Sequence, residues 1–137
     1  YGYGSYGNSM SPGFSSTKFS LIDRDIIWVT AHIRGGMERG MKWWKEGKLL
    51  NKKNTFEDYI AAGRYLIEKR YTSKSKIIGY GGSAGGLLMG AVVNQASELF
   101  LGVIMAVPFV DSLTTNLDHS LPLTIGVCDE FGNAKDN

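Results

Sequence analysis

The sequence predicts an α/β fold, a mostly parallel sheet with helices on both faces. Apolar, β-branched runs without polar alternation occur at 26–33, 76–80 and 101–107, and stretches of helical period lie between them at 56–70 and 84–95. Glycine gathers beside these runs, at 2–7, 35–40 and 79–90. Strands that lack a polar face are buried on both sides, and alternating helices supply the cover.

Each element has its own warrant. Residues 26–33, IIWVTAHI, read as a buried strand that stops at Arg34-Gly35-Gly36, with His32 packed in the core. Residues 37–54 are polar and carry Lys42, Lys45, Lys48, Lys52 and Lys53, so they read as a solvated surface connection. Thr55 is placed as an N-cap, with Glu57 and Asp58 in the first turn. Phe56, Ile60, Gly63 and Ile67 then form the apolar stripe of a helix over 56–70. After the break at Tyr71-Thr72-Ser73, KIIGY (76–80) is a short strand, 84–95 a helix of small residues, and LGVIMAV (101–107) a strand closed by Pro108.

Composition narrows the function. The chain of 137 residues suits a single domain over 1–137, or a piece of a larger one, and 43% hydrophobic with 20% charged residues is a globular balance. A net charge of +2 does not call for nucleic acid or a membrane surface as partner. One cysteine, Cys128, excludes an internal disulfide and fits a reducing, cytoplasmic compartment. No apolar run approaches the roughly 18 residues of a membrane span. His32, His119 and Cys128 lack metal-ligand spacing, so neither a metal nor a cofactor is expected. Gly2, Gly4 and Gly7 match a dinucleotide fingerprint, with Asp23 downstream. The motif needs a helix next, and Ser9-Met10-Ser11-Pro12-Gly13 follows instead.

The stretch GYGGSAGGLL (79–88) carries the chemistry. Gly81-x-Ser83-x-Gly85 between a strand and a helix is a nucleophile elbow. A serine at the tip of a sharp strand-to-helix turn is strained, and neighbouring backbone leaves no room for side chains two positions away. The hydroxyl is pushed clear of the chain, at a helix N-terminus that favours developing negative charge. The bland alternative makes Ser83 a helix cap, but capping does not require glycine at 81, 82, 85 and 86. The Ala84 amide is the expected first oxyanion donor. A base is harder to place. In this fold an acid and then a histidine follow the serine, yet Asp111 and His119 stand too close together to leave room for the remaining strands.

Further motifs occur in one order: YGSYG (3–7), SLIDRD (20–25), AHIRGG (31–36), GKLLNKKNTFEDYI (47–60), GGSAGGLLMGAVVNQ (81–95), VPFVD (107–111) and LPLTIG (121–126). Across essentially its whole length the chain resembles the prolyl oligopeptidase family of serine peptidases, and within it the oligopeptidase B branch. The resemblance implies part of an α/β-hydrolase catalytic domain acting on short peptides. A β-propeller would precede Tyr1, and the catalytic Asp and His would follow Asn137. It implies Ser83 as nucleophile, the Tyr3 hydroxyl as second oxyanion donor beside Ala84, and Tyr6 lining the pocket for the residue before the cleaved bond. Oligopeptidase B cleaves after Arg or Lys. Its acidic pair maps to Val127 and Asp129 in GVCDEFGNA (126–134), with Glu130 adjacent, so Asp129 and Glu130 are the expected substrate carboxylates. Ser11 and Gly13 replace two further acids, Met37 a third glycine, and Phe131 and Ala134 the usual Trp and Pro, which removes the basis for a strong dibasic preference. An esterase on the same fold and a non-catalytic remnant lacking the Asp and His remain alternatives.

Overall fold

The computed structural model describes residues 1–118 and 120–136. In chain order the elements are α1 (Ser16–Ile22), α2 (Met41–Lys45), a 3-10 turn (Leu49–Asn51), α3 (Lys53–Glu68), β1 (Ile77–Gly82), α4 (Ala84–Gln95), a second 3-10 turn (Ser97–Leu99), β2 (Phe100–Ala106), α5 (Ser112–Leu117) and α6 (Thr124–Phe131). β1 and β2 pair in parallel, from Ile78 opposite Gly102 to Gly82 opposite Ala106. α4 connects them and packs on both, as a parallel pair requires of its crossover.

Small residues decide how closely α4 approaches the sheet. A Cβ on Gly79 would lie 2.8 Å from the Met89 sulfur, so glycine here lets the Met89 side chain of α4 settle directly on the strand. Met89 and Val92 are fully buried there, and α3 packs against α4 and adds Tyr59 and Ile60 to the same core. On the opposite face of the strand pair Ile78 and Ile104 are 52% and 55% exposed. Apolar composition alone therefore did not report burial.

The helix at 84–95 falls where its pattern places it. Other elements differ from expectation. Residues 26–33 form no strand, and Ile26 and Ile27 are exposed. Their backbone instead brackets Tyr1: Tyr1 N donates to Val29 O at 2.7 Å, and Ala31 N to Tyr1 O at 2.9 Å. An apolar run records a preference for extended backbone, while a ladder needs a partner strand alongside. His32 is exposed rather than packed, its Nε2 2.8 Å from the Met10 carbonyl. Thr55 is no N-cap: α3 begins before it, and the fully buried hydroxyl donates to Arg34 O at 2.8 Å and Gly47 O at 3.2 Å. Residues 37–54 are not a uniformly solvated loop either. They include α2 and the 3-10 turn, and the Lys48 and Lys52 side chains are largely buried.

Candidate active site

Ser83 stands where β1 turns into α4, with φ 55° and ψ −118°, a left-handed region that costs a β-carbon-bearing residue roughly 1–3 kcal/mol. The surroundings hold it there. Ser83 N donates to Ala106 O at 2.9 Å, and its carbonyl accepts from Gly86 N at 2.9 Å, Phe109 N at 3.0 Å and Leu87 N at 3.3 Å. The side chain is exposed and caps nothing, which removes the capping alternative.

The glycines explain themselves by what a Cβ would meet. On Gly81 it would fall against the Gly85 carbonyl oxygen, on Gly85 2.7 Å from the Gly2 carbonyl oxygen, and on Gly86 2.6 Å from Pro108 Cα. Gly82 is different, since its nearest contact would be an ordinary 3.5 Å to Ala106 O. Three chain segments thus converge on the bend. As the first residue of α4, Ala84 has an N–H with no partner inside the helix.

The loop YGSYG reaches the serine through this crowding. Gly2 N donates to Tyr80 O at 3.1 Å, which fixes the loop start beside β1. Tyr3 then lies against the first turn of α4, its Cα and ring 3.4 and 3.5 Å from where a Cβ on Gly85 would stand. Burial raises the Tyr3 pKa above the ordinary tyrosine value, against the opposing pull of the Asn8 and Ser83 side chains. At neutral pH the Tyr3 hydroxyl keeps its proton and is able to donate it to a hydrogen bond. Tyr6, at φ 58°, turns its ring toward Tyr3 (centroids 6.4 Å apart) and edge-on to Phe131 (5.9 Å), and Phe131 meets Phe109 at 5.5 Å. Desolvation pushes the Tyr6 hydroxyl to about 12.

The two expected carboxylates separate. Asp129 has a side chain 74% exposed, paired with Lys48 at 2.9 Å, and Lys48 lies 4.1 Å above the Trp44 ring. Glu130 is 1% exposed, with one oxygen 2.8 Å from Lys52 Nζ and the other 3.0 Å from Trp44 Nε1. Both its oxygens are bonded within the protein, where the sequence expectation has it facing a substrate cation. Lys52 also donates to Gly4 O at 2.7 Å and Ser5 Oγ at 2.6 Å. Asp111 caps α5 through Thr114 N at 3.2 Å. His119 lies outside the described residues.

Sequence reasoning missed Lys52, Trp44 and Phe109. The available signal was a lysine run next to Trp43 and Trp44, because lysines beside large rings bury their stems. Among the described residues no group of three His, Cys, Asp or Glu could hold a metal, and no helix is long and apolar enough to cross a membrane.

A parallel strand pair bridged by a helix, with an exposed serine at the strained bend between them, defines part of an α/β-hydrolase catalytic domain. The chain belongs to the prolyl oligopeptidase family, whose family model matches residues 12–137. Protease 2 of Moraxella lacunata is 52% identical over 135 residues, covering 98% of this chain and 20% of that protein. Dipeptidyl aminopeptidase BI of Pseudoxanthomonas mexicana is 52% identical over 136 residues, covering 99% of this chain and 19% of that protein. The solved structure of oligopeptidase B from Trypanosoma brucei with covalently bound antipain superposes with a TM-score of 0.95 at 46% identity, over 99% of this chain and 19% of that one. The chain thus spans 19–20% of the length of these relatives.

Proposed function

We propose that this chain supplies the nucleophile and the oxyanion-binding groups of a serine peptidase acting on short peptides. The observation that carries the reading is Ser83, exposed at a positive-φ bend and flanked by a free helix N-terminal amide and the Tyr3 hydroxyl. In the proposed reaction Ser83 Oγ bonds to the scissile carbonyl carbon, the carbonyl electron pair moves to oxygen, and the hydroxyl proton passes to a base. That base is a histidine oriented by an aspartate, both supplied by the same polypeptide outside residues 1–137. Ala84 N–H and Tyr3 O–H donate to the oxyanion. Collapse breaks the C–N bond, the amine leaves with the proton, and water releases the acyl group from Ser83.

Tyr6, Phe131 and Phe109 offer an apolar wall for the side chain before the cleaved bond. Asp129 is the carboxylate free enough to meet an Arg or Lys there. A missing propeller from the same polypeptide would limit substrate length. The covalent antipain complex of the trypanosomal relative supports covalent catalysis on this fold. The free thiol of Cys128 supports a reducing, cytoplasmic location.

The test is labelling with a fluorophosphonate probe. The polypeptide translated from the complete reading frame labels at Ser83, Ser83→Ala does not, and residues 1–137 alone label weakly. Equal labelling of both chains would mean that His32 or His119 acts as base. Turnover of esters with none of peptide amides would move the reading to an esterase.

A further inference from the structure

We propose that Lys52 and Glu130 form a positioning pair for the oxyanion-binding tyrosine, with no part in holding substrate. The proposal rests on the serine-peptidase reading above. Glu130 sits on α6 and Lys52 at the start of α3, far apart in sequence, and both side chains are withdrawn from water, at 1% and 12% exposure. Nothing about holding the helices together requires ions here, since apolar side chains of similar volume serve a core as well or better. What requires them is the loop. Gly4 turns its carbonyl inward at φ 68°, and Ser5 is fully buried with its hydroxyl pointing at the same place. Two buried acceptors converge, and the ammonium of Lys52 meets both.

An ammonium has three protons, and here each is used: Gly4 O, Ser5 Oγ and Glu130 Oε1. Burial lowers the Lys52 pKa, and the bond and charge of Glu130 oppose that. Trp44 Nε1 holds the other Glu130 oxygen, so the carboxylate cannot swing away. Tyr3 directly precedes this clamped pair of residues, and its hydroxyl is the atom that must stand over the developing oxyanion. A donor displaced by about an ångström loses much of its effect. Lys52 and Glu130 act on the reaction through Tyr3.

The experiment is a double-mutant cycle in the polypeptide expressed from its complete reading frame, read by steady-state kinetics on an Arg-amide peptide. Lys52→Met lowers kcat by roughly 10- to 100-fold with KM within about twofold, part of the effect of deleting an oxyanion donor. In a Tyr3→Phe background the same change costs less than about threefold, because the donor it would misplace is already gone. Lys52→Arg recovers part of the loss, and Lys52→Met/Glu130→Leu folds while kcat stays low. Multiplying losses for Lys52→Met and Tyr3→Phe would overturn the proposal. A KM for Arg substrates raised by Glu130→Gln at unchanged kcat would return Glu130 to the substrate. Failure of the single and the double variant alike to fold would also overturn it, since the pair would then serve the core. A parent chain that fluorophosphonate does not label at Ser83 sinks the peptidase reading itself. A labelled parent with no response to Lys52→Met sinks this inference alone.

Discussion

Gly81 and Gly85 face each other across the bend at Ser83, so closely that a Cβ on Gly81 would fall against the Gly85 carbonyl oxygen. The strand end and the first turn of α4 are therefore in backbone contact, and the serine between them has nowhere to go but outward. The steric requirement is specific enough to separate glycines that look alike in the sequence.

Gly81→Ala and Gly85→Ala are expected to destabilise the fold by about 1–3 kcal/mol, since backbone cannot move aside as a side chain does. Gly82→Ala, with only an ordinary contact in view, stays within about 0.5 kcal/mol. Urea midpoints of the three variants check this. A Gly82→Ala loss as large as the other two would mean that conformation, not contact, sets the requirement.

Tyr3→Phe removes one hydroxyl and little packing. Amide-substrate kcat falls by about 10²–10³-fold while thermal stability holds. The pKa shift adds a second readout. Because burial raises the Tyr3 pKa, the donor persists beyond the ordinary tyrosine range and fails only as pH rises through the shifted value. A loss of kcat below pH 10 that disappears in Tyr3→Phe would contradict the placement.

Asp129 is paired with Lys48 and mostly in water, so under the proposed peptidase reading only a modest effect on Arg substrates is expected. Asp129→Asn lowers kcat/KM for Arg substrates by no more than about fivefold. Lys48→Met, which frees the same carboxylate, raises it by a similar factor. Competition between an Arg and a Leu peptide measures both, and equal shifts for the two peptides would detach Asp129 from specificity.

Tyr59 gives an alkaline limit to stability. It is 6% exposed, and burial pushes its hydroxyl to about 12, against a weaker opposing bond to the Tyr80 backbone. A pKa raised on folding means the folded chain holds the proton more tightly. This contribution is complete below pH 10 and is lost as pH rises toward 12, by up to about 3 kcal/mol. Urea unfolding between pH 9 and 12 measures it, and a Tyr59→Phe curve as steep as wild type would assign the loss elsewhere.

Much of the scaffold was readable because its causes are local. The run before Gly81, the small residues of 84–95 and the glycines around Ser83 each constrain the backbone within a few positions, and strand, bend and helix follow. Segment 26–33 failed for the opposite reason, since whether an extended run joins a ladder depends on what lies beside it. Lys52 failed likewise. A lysine in a polar run reads as solvated until the fold brings two inward-facing acceptors and a carboxylate to its head.

The sequence alone determined that Ser83 would stand on a strained bend between a strand and a helix, because side-chain volume within a few residues dictates that shape. Only the tertiary structure decided which groups surround the hydroxyl. It set Tyr3 against the first turn of α4, turned Asp129 to water and sealed Glu130 against Lys52 and Trp44. Adjacent carboxylates on one helix point in different directions, and the elements packed against each decide whether it meets solvent or an ammonium.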